Sequence, residues 1–272
     1  MNLTNQIESA EHRFKQILER YFASVYNEKI LPSHGINHHR RVWINAKELL
    51  QVYYNYRSVI DPLLPFSLII ACYFHDIGMS IDSGVRHGHH GMDLCRKFLN
   101  ENNLNEGNFP GLLTAIQNHD NKEYNEPWVK NELQTILSVA DDLDAFGYTG
   151  IYRYLEIYII RGASAKDIGF AIRDNAKKRF MHFSEAFGFD VTVIERHTKR
   201  FKILDNFFIE YEKQLPGYMS GSSRGGYCGV MEILSQCIKE ENDMVDFIKK
   251  ASTKHNDRII KYFFTELKSE LL

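Results

Sequence analysis

At 272 residues, 44 % of them hydrophobic, the chain is long enough for one large domain with an ample core. Its formal net charge of −2 argues against a protein that grips nucleic acid through overall charge, so no stable nucleic-acid partner is expected. No apolar stretch approaches the roughly 20 residues needed to span a bilayer, and the N-terminus lacks the basic start and apolar core of a signal peptide. The expectation is a cytoplasmic protein with no membrane partner.

Helical periodicity dominates from the first residues onward. It runs over residues 5–26, and then through Val42, Ala46, Leu49, Leu50 and Tyr53, which share one helix face. Residues 62–76 contain a short apolar run, Ser67 to Phe74, that ends on His75 and Asp76. Another helix is expected over 88–103. Leu112, Ala115 and Ile116 then form a face, as do Leu133, Ile136, Leu137 and Ala140. Further helices are expected over 149–162, 165–186 and 193–214. Pro62, Pro65, Pro110 and Pro127 fall near helix starts, where proline is tolerated. Strand-like alternation is scarce, and the predicted class is all-α.

Residues 216–227, rich in Gly and Ser, read as a flexible connection; their spacing fits no phosphate-binding glycine loop. Two helices of mixed charge follow, over 227–250 and 254–270. The expected organisation is one main domain over 1–215, with 216–272 as a helical extension packed on it. That extension could cover a pocket or form a homodimer face. The four cysteines, Cys72, Cys95, Cys228 and Cys237, form no CxxC pair and read as buried thiols of a reducing compartment.

Chemistry concentrates in one region. Eight of the twelve histidines lie between residues 34 and 119. An imidazole and a carboxylate side by side at the end of a buried run, as in His75–Asp76, are costly to desolvate unless something binds both, and a divalent metal does so. His38 sits one helical turn before Val42 and shares its buried face. His119 extends the face of Ala115 and Ile116, and Asp141 extends that of Leu137. Inward-facing His and carboxylate groups from different helices are how helical folds build metal sites.

These residues resemble the motifs of the HD-domain superfamily of metal-dependent phosphohydrolases. His38-His-Arg-Arg-Val42 looks like its first-helix signature, His75-Asp76-Ile-Gly78 like its namesake motif, and Ala140-Asp-Asp-Leu-Asp-Ala-Phe-Gly147 like its final Asp motif, with Asp141 as the ligand. The resemblance spans about residues 34 to 153 and implies an HD-domain-like helical bundle with additional C-terminal helices. It implies His38, His75, Asp76 and Asp141 as the ligands of one metal. His87-Gly-His-His-Gly91 and Ile116-Gln-Asn-His119 resemble elements of members holding two metals, which adds His87 and His119 and makes Asp76 the bridge. His89 or His90 could take the place of His87 by one step of loop slippage.

The implied activity is hydrolysis of a phosphate monoester or diester in a nucleotide or other small phosphorylated molecule, by metal-activated water. Asp76, His87 and His119 would be the catalytic residues. The cofactor would be one or two divalent ions, Mn, Fe, Co, Ni, Zn or Mg. Arg41, Lys122 and Arg153, and more weakly Arg86, are candidates to bind phosphoryl oxygens. Asp144 is a candidate to orient a ligand, whereas His34 and His39 are expected at the periphery. Two other readings share the motifs: a di-iron oxygenase of the same superfamily, and a non-catalytic nucleotide-sensing module.

Overall fold

The structure, a computed structural model, describes residues 2–27, 30–57, 61–121, 132–239, 247–248, 251 and 256–271. Among these residues there is no strand, and the protein is all-α. Helix α1 (Leu3–Ala10) passes through a π-helical turn (Glu11–Lys15) into α2 (Gln16–Val25). A 3₁₀ turn (Pro32–His34) precedes α3 (Ile36–Arg57), α4 (Leu64–Phe74) and a second 3₁₀ turn (Ile77–Ser80). Then come α5 (His87–Glu101), α6 (Leu112–Gln117), α7 (Glu132–Asp144), α8 (Gly147–Ile160), α9 (Ile168–Phe187), α10 (Val191–Met219), α11 (Gly226–Lys239) and α12 (Arg258–Leu271). No helix among the described residues is long and apolar enough to cross a membrane.

Packing divides the chain into two compact units, Met1–Asp144 with His182–Asp190, and Ala145–Met181 with Val191–Leu272. In the first, α4 is the central helix. It has no polar face: Leu68, Ile69, Ile70, Ala71, Cys72, Tyr73 and Phe74 are all buried, as expected of a helix apolar on every side. Each such large side chain contributes about 1.5–3 kcal/mol on burial. Helix α3 packs on α4 and α7, and α5 on α6. The buried Asn45 amide donates to the Ala140 carbonyl at 3.0 Å, tying α3 to α7.

Two glycines set how closely these elements approach. A Cβ on Gly78 would lie 2.0 Å from the His87 carbonyl oxygen, and one on Gly88 would lie 2.4 Å from that of Gln117. The turn after α4 therefore lies directly on the start of α5, and α5 on the end of α6. Both obstacles are backbone atoms, which cannot swing aside.

The second unit is built on aromatic contacts. Phe207 meets Phe208, Tyr227 and Phe263, and Phe263 meets Phe264. The Glu270 carboxylate accepts from the Thr149 amide at 2.8 Å, satisfying a free donor in the first turn of α8. All four cysteines are free and buried.

One boundary differs from expectation. Residues 216–219 were expected to open a loop, but α10 continues through Pro216 to Met219. In a last turn proline removes one hydrogen bond while its fixed φ still suits a helix. The Gly/Ser-rich connection is thus confined to residues 220–225.

Replacing Gly88 by Ala is expected to lower stability by about 1–3 kcal/mol, as overpacking does. Thermal unfolding checks this; a variant melting with the wild type would contradict the close α5–α6 approach.

Candidate metal centre

All six expected ligand residues lie in the first unit, and five successive parts of its chain deliver them. His38 is in the first turn of α3. His75 continues α4, its amide bonded to the Ala71 carbonyl at 3.0 Å. Asp76 then leaves the helix at φ −105°, ψ −1°, the bridge region that active-site residues often occupy. His87 begins α5, His119 follows α6, and Asp141 lies in α7. All six are buried.

The donor atoms form two groups that share Asp76. Those of His38, His75, Asp76 and Asp141 lie within 4.8 Å of one another, as do those of Asp76, His87 and His119. The two carboxylate oxygens of Asp76 are divided between the groups. Oδ2 lies 3.3 Å from the Nε2 atoms of both His38 and His75. Oδ1 lies 3.1 Å from His119 Nε2 and 3.4 Å from His87 Nε2. Asp141 Oδ1 closes the first group, 3.6 Å from His38 Nε2 and 3.9 Å from His75 Nε2.

Each histidine is held from behind through Nδ1. His75 donates to the Cys72 carbonyl at 3.0 Å, His87 to that of Gly84 at 2.8 Å and His119 to that of Ile116 at 2.7 Å. His38 donates to Asp144 Oδ2 at 2.8 Å. A carbonyl or an ionised carboxylate only accepts, so Nδ1 carries the proton in all four rings. In a neutral ring Nε2 then presents a lone pair. Yet the Nε2 atoms of His38 and His75 are 3.0 Å apart, and those of His87 and His119 are 3.3 Å apart. Lone pairs facing lone pairs and carboxylates at such range need positive charge between them, supplied by protons or by metal ions. Two donor atoms sharing one ion at about 2.1 Å lie about 3–3.4 Å apart, so the observed spacings fit an ion in each group.

The electrostatics of these side chains agree. Burial opposes ionisation of Asp76, but the charge of His75 and hydrogen bonds from His119, His38 and His75 outweigh it and hold the carboxyl well below its usual range. Burial likewise opposes charging of His87, yet the hydrogen bond to Asp76 and its charge push this imidazole up to about 9. His75 is raised against its burial by the same carboxylate.

Outer contacts fix the candidate ligands further. Asp144 accepts from His38 and from Arg41, whose Nε and Nη2 lie 2.7 and 3.0 Å from its two oxygens. Asp144 thus orients the His38 ring, a candidate ligand, and the Arg41 guanidinium is turned onto Asp144. The Ser138 hydroxyl donates to the His119 carbonyl at 3.1 Å. Asp142 is engaged by buried His182.

His87 is the member of its cluster that joins the site; His89 is exposed and lies 3.3 Å from the Gln117 amide, and His90 is half-buried. Arg86 is exposed just before α5, Arg153 is buried in α8 within the second unit, and Lys122 lies outside the described residues. Two expectations are corrected. His39 is not peripheral but buried, its Nδ1 2.9 Å from the Cys72 carbonyl that also receives His75. Burial, followed by the neighbouring His75 and His38, holds it well below the usual histidine range. His34 is not peripheral either: it is 3 % exposed, with Nε2 3.9 Å from Asp76 Oδ2. The spacing from His34 to His38 is one helical turn, a signal hidden because Gly35 separates a 3₁₀ turn from α3.

No family model, curated protein or solved structure matches the chain.

Two outcomes are expected. Asp144→Asn turns one acceptor into a donor that must face His38 Nδ1–H or Arg41, and should weaken metal affinity about 10- to 100-fold without loss of helix content. Titration followed by circular dichroism checks this, and unchanged affinity would contradict it. Metal uptake must also displace the proton held on His87, whose pKa is about 9. Affinity should therefore rise with pH across neutrality and protons should be released on binding. Calorimetry in buffers of different ionisation enthalpy measures this release; its absence would contradict the assigned protonation.

Proposed function

We propose that the chain is a metal-dependent phosphohydrolase of the HD-domain type, acting through two divalent ions bridged by Asp76. The observation that carries this reading is the division of the Asp76 carboxylate, one oxygen toward His38 and His75 and the other toward His87 and His119. A carboxylate so placed would serve two ions at once, with His38, His75 and Asp141 completing one site and His87 and His119 the other, and paired divalent ions would supply charge that stabilises the attacking and leaving oxygens of phosphoryl transfer. Mixed imidazole and carboxylate donors suit Mn, Fe, Co, Ni or Zn.

Bound there, divalent ions would supply Lewis acidity toward phosphoryl oxygens and a water of lowered pKa. The chain's own contribution is preorganisation. Four backbone or carboxylate acceptors hold the imidazoles with Nδ1 protonated and Nε2 facing the site, so no ring has to turn before binding. Burial of every ligand keeps competing water away and strengthens each charge interaction. The substrate is a small phosphorylated molecule, with nucleotides the first class to examine. Four buried thiols suit a reducing, cytoplasmic setting.

The test is hydrolysis of p-nitrophenyl phosphate, bis(p-nitrophenyl) phosphate and a nucleotide panel by Mn-loaded protein. Turnover should fall by about 10³-fold or more in Asp76→Ala, which removes the bridge between two Lewis-acidic ions. Wild-type turnover in that variant would overturn the assignment.

A further inference from the structure

A groove of about 600 Å³ lies in the first unit, between α2 and the start of α3. It is separate from the metal centre. Ile36, Asn37 and Arg40 line it, and the helical repeat puts them on the face of α3 away from His38 and Asn45. No candidate ligand residue takes part in its walls. The apolar wall is Phe22, Ala23, Tyr26, Pro32 and Ile36. Tyr26 is 48 % exposed beside Phe22, their ring centroids 5.8 Å apart, so an aromatic surface is left open there. Glu19, Arg20 and Arg40 also line the groove. The Glu19 carboxylate is engaged: it accepts from Arg40 Nε and Nη2 at 2.9 and 2.8 Å and from the Tyr73 hydroxyl at 3.1 Å. Arg20 is exposed and, among the described residues, has no carboxylate partner. Two guanidiniums against one carboxylate leave positive charge in excess. The first turn of α3 adds the positive end of a 22-residue helix.

We propose that this groove binds a small organic anion with a flat ring system, its rings against Tyr26 and its anionic group on Arg20. Small-molecule sites of roughly 300–1,000 Å³ pair an apolar wall with a few placed polar groups, and the groove has both. A guanidinium offers paired donors to a carboxylate or phosphate and also stacks on flat rings. The excess positive charge disfavours a cation. A purely apolar ligand would cover Arg20 and the Glu19–Arg40 pair with nothing in exchange for lost water. Arg40 is held by Glu19 and, at 3.1 Å, by Asn37, so that side of the groove is fixed before binding. The ligand class comprises nucleoside phosphates and aromatic acids. The proposal uses no residue of the metal centre and stands independently of the phosphohydrolase reading.

The experiment uses the full-length protein and a fluorescent flat anion, 8-anilinonaphthalene-1-sulfonate, as probe. The wild type should show saturable binding. Arg20→Glu, which reverses the uncommitted charge, should weaken it about tenfold or more, the scale of one charge-assisted contact. Arg20→Lys, which keeps the charge, should lose less, and Tyr26→Ala should lose about threefold through the missing ring contact. Both side chains are exposed, so thermal unfolding should match the wild type in all three variants. The cationic dye thioflavin T should bind more weakly than the sulfonate. Displacement of the probe by AMP would assign the site to nucleoside phosphates, and displacement by 1-naphthoate to aromatic acids. Absence of saturable binding, or binding unaltered in both Arg20→Glu and Tyr26→Ala, would overturn the proposal. So would a cationic dye that binds as tightly as the sulfonate, or a probe that neither competitor displaces.

Discussion

The protein's candidate chemistry depends on an electrostatic mismatch that the fold builds into its own interior. Four imidazoles are pinned through Nδ1 to acceptors, so their Nε2 lone pairs are turned toward one another and toward Asp76 and Asp141. Burying such a set without compensating positive charge is costly. Protons can offset part of it: the Asp76 carboxylate draws His87 up to about 9, and the surrounding imidazoles hold Asp76 down. Divalent ions offset it more fully, because one ion meets several donors at once.

The rest of the first unit serves to hold this mismatch in place. The apolar helix α4 is anchored on every side and ends on His75, so the costly pair is fixed by core packing. Gly78 and Gly88 let three chain segments lie against one another, which brings His87 and His119 within reach of the same carboxylate oxygen. Asn45 and Ser138 then set α7 by hydrogen bonds to backbone, at Ala140 and Ser138 just ahead of Asp141. The arrangement is rigid where ligands must be positioned.

Much of this was legible in the sequence. The apolar run ending on His75–Asp76, and the periodic faces that His38, His119 and Asp141 extend, each rest on local spacing that survives folding. His87 was legible only through its likeness to a family element, since nothing local separates it from His89 and His90; what selects it is its Nδ1 bond to Gly84 at the start of α5. His34 was missed because its relation to the site passes through a turn, where helical spacing no longer predicts direction. The pairing of Arg41 with Asp144 spans 103 residues and has no sequence signal of its own. The connection was expected to begin too early because the glycines and serines from Gly217 onward carry a turn signal, whereas α10 continues to Met219.

One carboxylate, Asp76, is proposed to join two metal sites. Its most direct test is the metal content of protein purified without chelator, measured beside His87→Ala. A bridged pair requires about two ions per chain in the wild type, falling toward one in the variant. A single ion in both proteins would contradict the bridge and leave only the site of His38, His75, Asp76 and Asp141; no ion in either, even after reconstitution, would contradict the account as a whole.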